Sequence, residues 1–251
     1  MENNLYLYLL QLGDNALILG QRLCEWTGVA AELEIDLALS NIALDLLGQS
    51  NQWYEYAAEI KGENSSPDTL AFFREAHEFR NVQLVELPNG NFADTVIRSV
   101  IFDTFHQLLY EELTRSSDAR IGSIAARAIK EINYHIRYSR NWTLRLGDGT
   151  QESHKKAQNA LGRIWDYAFE ALTPGPIDRW AFKNGIGPDL DALRPVWLNR
   201  MEKLFEQATL EIPAPGFINR KGKSEGIHTE HLGYILAEMQ SLQRTHPGLE
   251  W

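Results

Sequence analysis

From Leu5 to Trp26 the chain places apolar residues at 5, 9, 12, 16, 19, 23 and 26. Such an unbroken alternation of four- and three-residue steps is one face of an α-helix and has no reading as a strand. It predicts a helix over residues 3–27. A second helix is expected over 32–61, where Ile35, Leu39, Ile42, Leu46, Trp53, Ala57 and Ile60 form one stripe with further leucines beside it. An apolar surface that broad implies burial on more than one side.

The breaker cluster GENSSPD at 62–68 leads into DTLAFFREAHEFRNVQLVE, which reads as a shorter helix ending before Pro88, and PNGN at 88–91 reads as a turn. Residues 92–115 and 119–146 are two more long periodic segments, and the polar SSD between them suits an antiparallel hairpin. Further helices are expected near 153–172, 189–209 and 229–245, separated by TPGPID, NGIGPD and PAPGFINRKGKSEG. Nothing has a strand period, a short repeat or low complexity. The reading is therefore all-α, a single domain over 1–251 with core helices at 3–27, 32–61, 92–115 and 119–146 and a helical elaboration over 150–251.

With 251 residues, 44% hydrophobic content and seven tryptophans, one sizeable core is within reach. The formal charge is −10 and the Lys and Arg residues look scattered along the chain, which argues against a nucleic-acid partner. Cys24 is the lone cysteine, so an internal disulfide and multi-cysteine zinc or iron–sulfur sites are excluded, and a reducing cytoplasm fits best. The start, MENNLYLYLLQLGDN, lacks a signal-peptide pattern, and no apolar run approaches the ~18 residues of a membrane span. A soluble protein is expected.

Four long helices suit a ferritin-like bundle. When such a bundle carries two irons, two helices each give a Glu and the other two each give Glu-x-x-His, because positions i and i+3 share a face. Here the first helix offers Asp14, and the second offers Asp45-x-x-Gly48, whose glycine cannot ligate metal. The third long helix offers Asp103-x-x-His106, and the fourth Glu131-x-x-Tyr134 with His135 one place later. One acid-to-His pair is correctly spaced, on a helix that normally supplies a lone Glu. His135 also completes the ridge Ile121, Ala125, Ala128, Ile132, His135, Ser139, Trp142, Leu146. It reads as a core histidine hydrogen-bonded to a neighbour in preference to a ligand. Lys130 is a candidate to replace missing metal charge by ion pairing. A hydrogen-bonded and ion-paired network of Asp14, Asp45, Asp103, His106, Glu131 and His135 is expected where metal would otherwise sit.

Weaker candidates remain. His228-x-x-His231 has a zinc-compatible spacing without a third ligand, so a helix-start or packing role is favoured. Arg220, Lys221 and Lys223 make a small basic loop, and NGNF at 89–92 is sufficiently explained as a turn. Trp53, Tyr54, Tyr56, Trp142, Trp165 and Trp180 exceed what a small bundle must bury, which predicts an apolar interface with another chain for those that are not simply core.

Four stretches, ELEIDLALSNIALDLLGQ (32–49), PNGNFADT (88–95), AIKEINYH (128–135) and GIHTEHLGYILAEMQSLQR (226–244), closely resemble the C subunit of the bacterial phenylacetyl-CoA ring 1,2-epoxidases. The resemblance spans most of the chain. It implies a ferritin-like fold and a multicomponent monooxygenase in which a paralogous A subunit holds the di-iron centre. Electrons would reach that subunit from NADPH through a separate reductase subunit. It further implies that this chain is structural, without metal ligands of its own. The competing readings are a working di-iron oxygenase that uses Asp14, Asp45, Asp103, His106, Glu131 and His135 in altered geometry, and a stand-alone helical binding protein.

Overall fold

The computed structural model describes residues 4–62, 65–214, 216 and 220–249. Helix α1 (Asn4–Cys24) stops three residues before the expected end, in turns that place Gly28 at a φ of 81°. Helix α2 (Leu33–Lys61) follows. Helix α3 is much shorter than its periodicity suggests, covering only Pro67–Phe72, with Ser66 capping the backbone N–H of Thr69. The remainder of the expected 68–86 helix is two 3-10 turns at Ala76–Glu78 and Gln83–Glu86. The physical reason is competition for backbone donors. The N–H of Arg80 goes to Asp14 (2.6 Å) and that of Val82 to Asn15 (2.9 Å), both on α1.

Helix α4 (Phe92–Leu113) begins at Asn91, whose side chain accepts from the N–H of Ala93. The turn before it needs glycine. Gly90 has a φ of 56°, and a Cβ there would meet the Asp94 carboxylate at 2.5 Å. Helix α5 (Ala119–Gly147) starts on Asp118, which accepts from the N–H groups of Arg120 and Ile121. The expected 153–172 helix is α6 (Gln151–Ile164), a 3-10 turn at Trp165–Tyr167 and the single turn α7 (Ala168–Ala171). Helix α8 (Pro176–Lys183) lies where only a separator is expected, although proline at its first position is a readable start signal. Helices α9 (Leu190–Gln207), α10 (Gly222–Glu225) and α11 (Glu230–Thr245) complete the described chain.

No β-strand forms among the described residues, so the fold is all-α, in keeping with a ferritin-like helical bundle. The chain divides into two compact units, one made of residues up to Pro88 and from Lys221 onward, the other of Asn89–Arg220. In the first, α1 packs along α2, and α11 returns to pack on α3 and α1. In the second, α4 packs along α5, with α6 and α9 against them. Of the aromatic residues offered for an interface or for the core, Trp53, Tyr54 and Trp165 are core, each 2% exposed or less. Tyr56, Trp142 and Trp180 are half-buried. No described helix is long and apolar enough to cross a membrane.

Candidate functional site

In the first unit, Asp14 lies fully buried on α1, next to a glycine that brings the two long helices together. A Cβ on Gly13 would stand 2.6 Å from the Tyr54 ring of α2, and its absence lets that ring close over α1. The Tyr54 hydroxyl then donates to Asp14 Oδ1 (2.5 Å). Arg74 donates to both carboxylate oxygens, at 2.5 and 3.1 Å, and the backbone N–H of Arg80 donates at 2.6 Å. Four donors occupy the lone-pair positions of one carboxylate and leave it no open position for a metal.

Arg74 is equally well held. Its Nε donates to the Leu70 carbonyl (2.5 Å), and its guanidinium sits 4.1 Å from the Phe79 ring centre. Burial alone would lower its pKa, but the Asp14 carboxylate raises it, so the guanidinium stays charged. Burial, reinforced by Asp14, pushes the Tyr54 phenol well above its ordinary pKa and keeps it a donor. Asp45, the second acid expected near this site, is half-buried. Gly48 is exposed, with open space where a side chain would stand.

Arg74 thus supplies the compensating charge expected of Lys130, which is exposed. The signal in the sequence was faint: Arg74 directly follows the apolar run LAFF, but Glu75, His77 and Glu78 come after it and give it the look of a solvated charge.

In the second unit, Asp103 on α4 is 4% exposed and accepts from Ser139 Oγ of α5 (2.6 Å). Burial raises its pKa from 3.8 to about 6, against the opposing pull of His135, Ser139 and Arg98. His106 lies one turn along, wedged between the rings of Phe102 (5.1 Å) and Tyr110 (4.3 Å). Its Nδ1 has no hydrogen-bond partner. Burial, with His135 nearby, pushes its pKa down to about 3, so it is neutral. His135 is fully buried, as a core residue on its ridge should be. Glu131 is half-buried and Tyr134 is 37% exposed.

His228 answers the question raised by its spacing from His231. Its Nδ1 meets Glu86 at 2.5 Å and its Nε2 meets the Phe79 carbonyl at 3.0 Å. An oxygen faces each ring nitrogen, and the Phe79 carbonyl can only accept, so Nε2 donates to it and the surroundings favour a proton on Nδ1 as well. Burial would lower its pKa, but the hydrogen bond and charge of Glu86 raise it overall. Glu86 is fully buried and also accepts from Asn81, the Thr229 N–H and the Thr229 hydroxyl. His231 is half-buried and takes no part in this cluster. His228 has the packing role favoured from its sequence position, just before the start of α11, and what the sequence did not reveal is its partner Glu86, 142 residues away.

Among the described residues, no three His, Cys, Asp or Glu side chains are arranged to hold a metal ion. The donor set does not fit a di-iron centre: Asp14 is bound by Arg74, Gly48 has no ligand atom, and His106 is packed between rings. What fold and site define together is an all-α protein whose polar positions on its long helices are sealed by protein donors and aromatic packing. The chain belongs to the family described as phenylacetic acid catabolic protein, whose sequence model matches residues 1–251. It is 48% identical over 249 residues to the C subunit of 1,2-phenylacetyl-CoA epoxidase from Escherichia coli (strain K12), covering 99% of this chain and 100% of the relative.

Proposed function

We propose that this chain is the structural, non-catalytic subunit of a phenylacetyl-CoA 1,2-epoxidase in aerobic phenylacetate breakdown. In this reading it works in the cytoplasm, binds a catalytic A subunit that holds the di-iron centre, and keeps that subunit in its active form. Other epoxidase subunits, including an NADPH-dependent reductase, complete the assembly. The observation that carries the reading is the Asp14 carboxylate, saturated by Tyr54, Arg74 and the Arg80 N–H. The similarity to a C subunit of the same kind of enzyme supports it.

A need for a partner is supported by α2, which leaves Leu33, Leu37 and Leu44 at 69, 54 and 63% exposure along one face. Leucines in a row on a solvated helix face are characteristic of surfaces covered in a complex. The test is reconstitution. Purified A subunit, given reductase, NADPH and substrate, should turn over poorly alone and recover on addition of this chain. Full turnover by the A subunit alone overturns the structural role.

A further inference from the structure

The basic residues look scattered along the sequence, but the helix gathers them. Helix α5 holds six of the chain's 24 Lys and Arg residues and only one of its 34 acidic residues, the half-buried Glu131. Arg127, Lys130, Tyr134, Arg137, Tyr138, Trp142 and Arg145 follow one another along the helix, mostly at three- and four-residue steps, so they form one outward stripe. The four cations and Tyr134 lie toward solvent, whereas Tyr138 and Trp142 are half-buried.

The aromatic members form a ladder. Tyr134 stacks on Tyr138 (6.4 Å), Tyr138 meets Trp142 (6.5 Å), and Phe92 closes the end edge-on to Trp142 (4.9 Å). Arg137 lies over the Tyr134 ring at 5.5 Å and Arg145 over the Trp142 ring at 5.3 Å. Cation–π contacts hold these guanidinium groups against the rings, so their charges are fixed in place. Flat aromatic rings edged by arginines are the composition of interface hot spots. A patch of this sign on a chain of net charge −10 attracts a surface rich in carboxylates.

We infer that the outward face of α5 docks an acidic protein surface, and that this surface belongs to the catalytic subunit of the complex. The inference rests on the heteromeric reading above and adds the face and the chemistry of the contact. The test uses purified catalytic subunit as probe and the double variant Lys130→Glu/Arg137→Glu of the full chain, with Lys155→Glu on α6 as a charge control. Melting curves establish that each variant is folded.

The expected result is a Kd raised tenfold or more for the double variant, little change for the control, and weakening of the unaltered pair as salt rises. Tyr134→Ala should weaken binding without that salt dependence. Unchanged binding by the double variant overturns the inference and leaves the heteromeric reading standing. So does loss of self-association, or of binding to a single-stranded oligonucleotide, while the catalytic subunit still binds normally. If the unaltered chain fails to bind the catalytic subunit at all, the heteromeric reading falls first and the inference with it.

Discussion

Arg74 is the residue on which the first polar cluster depends. Removing it leaves the buried Asp14 carboxylate with Tyr54 and the Arg80 N–H as donors and without the cation hydrogen-bonded to it. Breaking a buried pair from one side costs about 3–5 kcal/mol, so Arg74→Ala should shift denaturant unfolding by that order. Replacing both partners, as in Asp14→Leu/Arg74→Met, should cost less than the single change. Asp103 responds to pH in the opposite sense to the usual carboxylate. Its folded pKa of about 6 lies above the unfolded 3.8, so the folded state loses stability as pH rises between those values. The penalty above pH 6 is roughly 3 kcal/mol at about 1.4 kcal/mol per unit. Asp103→Asn keeps an acceptor for Ser139 and should therefore raise stability at pH 7.5 and change little at pH 4. Asp103→Ala removes the acceptor and should lower the Tm, yet leave turnover per assembled complex near normal. A stable but inactive Asp103→Ala complex contradicts this account. His106, with a folded pKa of about 3, works the other way, losing stability as pH falls below 6.5.

At the scale of elements, the returning segment around His228 is held to the 79–86 stretch by a buried charge pair. A raised histidine pKa contributes stability that is fully present below the unfolded value and lost as pH rises through the folded one. His228→Gln should therefore lower the Tm most below pH 6.5, with the gap to the unaltered chain closing as the pH rises above that value. Hydrogen exchange should speed up first in Gln83–Glu86 and α11. The long helices were legible because their apolar periods run for six or more turns. The 73–86 segment was not, because its helical period is overridden by Asp14 and Asn15, which take the backbone N–H groups a helix would need. The site was legible in part for a similar reason. Asp14, Asp103 and His135 stand out as polar groups on apolar ridges, but the partners Arg74 and Ser139, like the histidine that meets Glu86, are fixed by chain topology.

For the whole molecule, the readable features were class and family: an all-α chain with four quoted stretches that match one kind of epoxidase subunit. The grouping of charge on α5 was hidden, since six basic residues spread over 29 positions become a stripe only after coiling. Under the proposed function, a division of labour would follow: a bundle without metal would keep its polar positions by internal pairing, as Asp14 does with Arg74 and Tyr54, and its outer helix faces would be left for assembly. The most direct test is the iron content of this chain, separated from its partners after growth in iron-replete cells and weighed by native mass spectrometry. The account predicts the mass of the polypeptide alone. One or two bound irons per chain, retained at stoichiometric occupancy, would contradict it.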